Sequence, residues 1–410
     1  MPHSSDFKPY FSIFQHQPNL VYLDSAATAL KPDSVIAAER AYEEEYSANI
    51  GRGLYPIAEM ATSQFEAVRE QTARFIGAEA REIIFTKNTT DSINTSAALL
   101  AERLRPGDNI VITEAEHHAN FLPWVELARR KNVDLRIAPF QTNGSIDQAA
   151  LLKLIDTRTA IVAFGALSNV FGAINPVADI VRAIRNSQAS ALIIVDAAQA
   201  IGHIPIETHD WDADCIAFSA HKTYGPTGVG ILYGRAALLE TLAPVAFGGG
   251  MVLDACANEP LYKGIPYRFE AGTPNISGVI GWGAALSFLE AIGLDRIREH
   301  ESSLAQSAIK RLTAAFGDTF TLLGPTTAEQ RGGLVSFTLD GIHPHDLAQI
   351  LGEHSICIRA GEHCAAPLHR RLNLPATARV SFGVYNTEED IDRLIEAMEK
   401  AQEILNPKLK

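Results

Sequence analysis

From Glu82 to Tyr233 the chain alternates short apolar runs with segments of helical period. The runs at 82–86, 109–113, 133–138, 159–167, 191–195, 214–218 and 229–233 read as strands. Helices are expected between them at 89–101, 120–130, 147–155 and 176–185, with another starting at Arg235. Apolar runs bounded by polar turns are the mark of strands buried on both faces. Few architectures accept this order, and the expected one is an α/β fold with a mainly parallel, doubly wound sheet. Right-handed crossovers would then gather the strand-to-helix loops along one edge, where ligands bind.

The flanks read differently. A loose arm at 1–20 precedes a short strand at Val21, a helix from Pro32 to about Tyr46, a Gly-rich loop at 49–56 and a helix at 61–76. Residues 247–274 carry Gly and Pro without a period and read as a long loop, a kind more often functional than idle. Beyond it, helices at 277–292 and 294–316 lead into a mixture of strands (320–323, 334–339, 356–359, 378–382) and helices (344–351, 388–405). The expected division is an arm at 1–20 packing on the small domain, a large domain at 21–295 and a smaller α+β domain at 296–410.

Composition excludes several classes. A formal charge of −13 over 410 residues argues against general binding to nucleic acid or anionic membranes. No apolar run approaches the ~20 residues of a membrane span, and the first residues lack the basic and apolar segments of a secretory signal. The four cysteines have no CxxC spacing, so no zinc site or disulfide framework is expected and a cytoplasmic setting fits.

Two strand ends carry chemistry. The run 191–195 ends in Asp196, and one strand later Lys222 follows Ser219-Ala220-His221. A carboxylate and an amine in one crevice suit Schiff-base chemistry on a heteroaromatic cofactor, with Asp196 keeping a ring nitrogen protonated and Gln199 near a ring oxygen. The plain alternatives are a helix-capping Asp196 and a surface Lys222. Thr90 reads as the N-cap of a helix whose free N–H groups could bind phosphate, helped by Ser219 and His221; a capped surface helix is the competing reading. His117 and His118 end another strand, as a solvated loop or as a stack on a flat ring, without metal-site spacing. Cys364 sits in a polar loop near Arg359 and His363, surroundings that favour thiolate. Arg379 could clamp a carboxylate, or form a surface ion pair.

In this order the blocks Tyr22-Leu23-Asp24-Ser25-Ala26-Ala27-Thr28, Glu116-His117-His118-Ala119-Asn120, Ser168-Asn169-Val170, His221-Lys222-Thr223-Tyr224-Gly225-Pro226 and Phe269-Glu270-Ala271-Gly272-Thr273-Pro274-Asn275 closely resemble the fold-type I pyridoxal-phosphate enzymes. Within them the chain resembles the group II cysteine desulfurases of the SUF and cysteine-sulfinate-desulfinase type, in the class-V aminotransferase family. The resemblance implies that Lys222 forms the Schiff base and moves the Cα proton, that His117 stacks on the ring, and that Asp196 and Gln199 contact it. Thr89, Thr90, Ser219 and His221 would hold the phosphate, joined by Thr273 from the other subunit of a homodimer. Asn169, Arg379, Arg359 and Ala27 would bind the substrate, L-cysteine, and Cys364 would take its sulfur as a persulfide. A small sulfur-acceptor protein serving iron–sulfur cluster assembly is the implied partner. A selenocysteine lyase or cysteine sulfinate desulfinase is the near rival; a kynureninase-like enzyme and a non-catalytic sulfur carrier are more distant ones. Departures from the family pattern are Gly51-Arg52-Gly53-Leu54-Tyr55 for His-Arg-Gly-x-His, Ala197 and Ala220 for glycines, and Glu362 for His or Gln.

Overall fold

The computed structural model describes residues 7–187 and 190–405. Its centre is a seven-stranded sheet made of β2 (Ile83–Thr86), β3 (Asn109–Thr113), β4 (Asp134–Ala138), β5 (Thr159–Gly165), β6 (Leu192–Asp196), β7 (Cys215–Ser219) and β8 (Gly230–Gly234). The spatial order is β2-β8-β7-β6-β5-β3-β4, parallel except for β8, which runs antiparallel to both neighbours. The expected mainly parallel α/β sheet is what forms.

The two-residue period of the strands explains why the sheet is covered on both sides. Val111, Val162, Phe164, Ile193, Val195, Ile216, Phe218 and Ile231 enter one core with the helices Pro56–Phe75, Val177–Arg185 and Ile276–Ile292. Their alternates, Ile110, Ile112, Ile161, Ala163, Ile194, Cys215, Ala217 and Leu232, enter a second core with the helices Thr89–Leu100 and Leu122–Lys131. Full burial of each such side chain stabilises the fold by about 1.5–3 kcal/mol for Val, Ile or Phe.

A second sheet, of order β11-β12-β15-β14, lies at the carboxyl-terminal side: β11 (Phe320–Leu323), β12 (Leu334–Leu339), β14 (Arg359–Gly361) and β15 (Thr377–Ser381), all antiparallel. The helix Leu294–Phe316 and the helix Glu388–Leu405 cover it through Leu304, Ala308, Leu312, Leu394 and Met398. Two details differ from expectation. The strand β1 (Val21–Tyr22), assigned from sequence to the large domain, pairs in parallel with β13 (Ile356–Cys357) at the small-sheet end, and Asp24 bridges Ser381. The loop at 247–274 contains a short hairpin, β9 (Val252–Asp254) with β10 (Leu261–Tyr262).

The described part of the arm packs against residues of both the 21–295 and the 296–410 segments. Phe11 is fully buried and meets Phe14, Tyr224, Phe288 and Tyr385 at ring-centroid distances of 5.0–6.4 Å, while Lys8 pairs with Asp390 at 2.8 Å. No single described helix is long and apolar enough to cross a membrane; the apolar helix Ile276–Ile292 is mostly buried in the core.

Candidate active site

Where strands β2, β3, β5, β6 and β7 end, their loops meet the small sheet around a cavity of about 320 Å³. It is lined by Thr89, Thr90, His117, Asp196, Gln199, Ser219, His221, Lys222 and Ala27 from one side, and by Asn169, Arg359, Cys364 and Arg379 from the other. Of the residues singled out from sequence, Thr273 and His118 do not line it: Thr273 is exposed on the loop after β10.

Asp196 sits at the last position of β6, 8 % exposed, and its Oδ1 accepts the Ala198 N–H at 2.9 Å. Burial raises its pKa, against the pull of that hydrogen bond and of Lys222. Lys222 ends a single helical turn after β7, and burial lowers its amine to about 8, with Asp196 opposing the shift and Arg379 adding to it. His117 Nδ1 accepts the Ala119 N–H at 3.0 Å, which leaves the ring proton on Nε2. Burial first, and the charge of Lys222 next, push His117 down to about 3, so its ring is a neutral plate. Gln199 is held by its amide donating to the Ala26 carbonyl at 2.8 Å.

The other end of the cavity is an anion cup. The helix Thr89–Leu100 begins there, but its N-cap is Asn88, whose side chain accepts the Asp91 N–H at 2.9 Å; Thr90, expected as the cap, is the second helical residue. The Thr89 backbone N–H and hydroxyl both meet Ser219 Oγ at 2.6 Å. A helix N-terminus with hydroxyls around it suits a phosphate.

Arginines form the third side. Arg379 is 2 % exposed; it donates to the Asn169 carbonyl at 2.9 Å and to Asp24 at 3.3 Å, and its Nε is buried with no partner. Burial lowers its pKa to about 10. Arg359 donates to the other oxygen of Asp24 at 3.2 Å. A guanidinium lining a cavity suits a carboxylate.

Cys364 is exposed and stands in a left-handed conformation, φ 57°, directly after His363 at φ 51°. Such backbone is costly for residues with a Cβ and is held in place by its surroundings. Two carbonyl anchors hold it: the Asn169 side-chain amide donates to His363 at 2.7 Å, and the His118 N–H donates to Cys364 at 2.7 Å. His118 Nε2 also accepts the Ala366 N–H at 3.0 Å. The tandem histidines thus divide the work, one facing the cavity and the other bracing the cysteine loop. Asn169 likewise commits its amide to the loop as well as lining the cavity.

Three residues of the site were missed from sequence. Asp24 bridges both arginines, and its position at the end of an apolar strand, like that of Asp196, was the available signal. Glu116 is buried and accepts from Thr113, from Asn120 at 2.6 Å and from the Gly165 N–H at 3.1 Å, tying β3 to β5 beneath His117. Burial pushes it up to about 7. His363 was noted only as a neighbour of the thiol. Glu362 is exposed, and its charge acts on His369.

A buried carboxylate, a buried amine, a neutral imidazole and an anion cup in one crevice define an enzyme that holds pyridoxal phosphate. The chain belongs to the class-V aminotransferase family, whose model matches residues 21–394. Its relatives there are cysteine desulfurases. It is 44 % identical to a probable cysteine desulfurase of Halalkalibacterium halodurans over 97 % of this chain and 98 % of that protein. It is 42 % identical to a cysteine desulfurase of Pectobacterium atrosepticum over 98 % and 97 %. The apo cysteine desulfurase of Thermococcus onnurineus NA1 superposes with a TM-score of 0.92 at 36 % identity, covering 99 % of both chains. The cysteine desulfurase CsdA of Escherichia coli gives 0.88 at 36 % identity over 97 % and 98 %.

Proposed function

We propose that the chain is a group II cysteine desulfurase that converts L-cysteine to L-alanine, holds the sulfur on Cys364 as a persulfide and passes it to a small acceptor protein for iron–sulfur cluster assembly. The observation that carries this reading is the placement of Cys364: a loop anchored by Asn169 and His118 brings a thiol to the same cavity as Lys222, Asp196 and Arg379.

Bound pyridoxal phosphate supplies an electron sink that loosens the Cα proton and the Cβ–S bond of an attached amino acid. Lys222 carries the amine that attaches the cofactor and afterwards takes and returns the Cα proton. Asp196 holds a proton on the ring nitrogen, and the neutral His117 ring stacks without adding charge. Thr89, Thr90, Ser219 and His221 take the phosphate; Arg379 and Arg359 take the substrate carboxylate, with Asn169 and Ala27 closing the pocket. Cys364 attacks the substrate sulfur, so the persulfide is a covalent intermediate released in a second half-reaction.

The homodimer belongs to the same proposal. Thr273 stands exposed, outside this cavity, and the 247–274 segment that holds it carries Phe247 and Leu253, each 67 % exposed. Apolar surface of this kind marks an interface, and a second copy is the occupant that would bring Thr273 to a phosphate. The four cysteines are free, which with a working thiol suits a reducing, cytoplasmic setting.

The test is alanine release from L-cysteine by the cofactor-loaded protein. Cys364→Ala should abolish it while the visible cofactor band remains. Alanine release by the wild-type protein from selenocysteine or cysteine sulfinate, with none from cysteine, would favour the lyase or desulfinase reading instead.

A further inference from the structure

Lys222 sits on a turn that cannot hold itself. The N–H groups of Thr223 and Gly225 both end on the Ala220 carbonyl at 2.9 Å. The carbonyls of His221 and Lys222, one on each side of the Lys222 Cα, are left for donors from elsewhere. The His221 carbonyl accepts the Ala29 N–H at 2.9 Å and the Thr28 hydroxyl at 3.1 Å. The far side of the turn rests on the loop 201–203. Thr223 donates its hydroxyl to the Ile201 carbonyl at 3.2 Å. Gly202, at φ 78°, lies so close that a Cβ there would collide with the Thr223 side chain.

His203 ends this loop and reaches two partners. Its Nδ1 is 2.7 Å from Oε2 of Glu301, which projects from the helix Leu294–Phe316 that covers the small sheet. Its ring also hydrogen-bonds the Lys222 backbone in the sense that favours the charged ring, so it donates to the Lys222 carbonyl. A carboxylate at one nitrogen and a carbonyl at the other have no hydrogen to give, and the ring satisfies both only by carrying two. Burial works against that charge, but Glu301 and the Lys222 carbonyl outweigh it and raise the His203 pKa. Arg298, one turn before Glu301, opposes the charge, while its own N–H groups go to the Arg331 and Ala328 carbonyls at 2.5 and 2.6 Å. The Glu301 side chain is 1 % exposed, and a carboxylate at that depth calls for a paired cation.

We infer that His203 is a positioning residue for Lys222: an imidazolium held between Glu301 and the Lys222 carbonyl, fixing the peptide from which the amine reaches the cofactor. The inference rests on the reading of Lys222 as the lysine that attaches pyridoxal phosphate. With the peptides on both sides of its Cα held, the amine changes partners while its base stays in place. The same clamp joins the large-sheet loops to the helix behind the small sheet, the side that presents Arg379. The substrate grip itself is anchored separately, on Asp24 and Asn169. Loss of His203 should therefore act on turnover and leave substrate binding alone.

Nitrogen NMR of the histidine-labelled apo protein at pH 7.5 reads the ring directly. One ring should carry hydrogens on both nitrogens, disappear in His203→Gln and become neutral in Glu301→Gln. In the cofactor-loaded protein, asparagine and glutamine separate the two contacts, since the Asn amide replaces Nδ1 and the Gln amide replaces Nε2. His203→Asn should lower kcat for alanine release about tenfold or more and leave KM within about twofold, because a reacting group displaced by about 1 Å can cost about 100-fold. It should also move the pH midpoint of the visible cofactor band. His203→Gln should recover most of the rate and the wild-type midpoint. Thermal melting shows which variants fold; should His203→Asn not fold, the NMR signal and the band of His203→Gln decide. A neutral His203 ring in the wild type overturns the inference, and so does a folded His203→Asn protein with the wild-type kcat and band, or His203→Gln no better than His203→Asn. A wild type that attaches pyridoxal phosphate at another lysine, seen by borohydride reduction and peptide mass, sinks the reading of Lys222 instead.

Discussion

At the scale of single residues, the site works by moving protons to unusual places. The Lys222 amine, lowered by burial to about 8, ionises well below the ordinary lysine range near 10.5. A deprotonated amine is what attacks a carbonyl, so the apo protein should take up pyridoxal phosphate faster as pH rises through about 8 and gain little beyond it. Stopped-flow absorbance checks this; a rate still climbing steeply at pH 10 would contradict it. Glu116 shows the opposite case. Its carboxyl is raised to about 7, so between the unfolded value near 4.5 and 7 the folded chain binds a proton that the unfolded chain lacks. The stability it contributes is present below pH 4.5 and is lost as pH rises through 7. Urea unfolding of the apo protein at pH 5 and 8 should therefore show a smaller difference in Glu116→Gln than in the wild type.

At the scale of elements, the inner strands of the large sheet were legible because both of their faces are buried, which leaves a largely apolar run ending abruptly at a polar residue. Asp196 and Lys222 could be placed at neighbouring strand ends for that reason. The anion cup was read one step off: Thr90 and Asn88 are both good caps by residue type, and only the backbone turn, extended at Asn88 and helical from Thr89, decides between them. Asn88→Ala should cost about 1 kcal/mol in denaturant unfolding and weaken phosphate binding to the apo protein, whereas Thr90→Ala should leave stability nearly unchanged. The work of His118 was not legible, since its partners, Cys364 and Ala366, are remote in sequence and the pairing exists only once the two sheets are assembled. The β9–β10 hairpin escaped for another reason: strands of two or three residues are too short to show a period.

For the whole molecule, composition and alternation predicted the layers but not the strand order. The reversal of β8 follows from its short connection to β7, free of an α-helix, whereas the capture of β1 by β13 is set by a contact between distant segments, which leaves no local pattern. The arm is the clearest case of such a contact. Phe11 packs against Tyr224 of the large-sheet loops and Tyr385 beside the small sheet, so one side chain ties both halves around the cavity. Phe11→Ala should cost about 3–5 kcal/mol, in line with other large truncations in well-packed cores. Loss of activity at temperatures where the fold persists should accompany it, as seen by comparing an activity melt with circular dichroism. If the two curves stay superimposed in the variant, the arm stabilises the fold without governing the cavity.

The parallel pairing of β1 with β13 also orders events during synthesis. Val21 and Tyr22 leave the ribosome early, while Ile356 and Cys357 emerge only when most of the chain is already outside. The large sheet can close in the meantime, but the segment carrying Asp24 has no strand to join, and so the two arginines it bridges are brought together last. A nascent chain would thus acquire its crevice for the cofactor before its grip on the substrate.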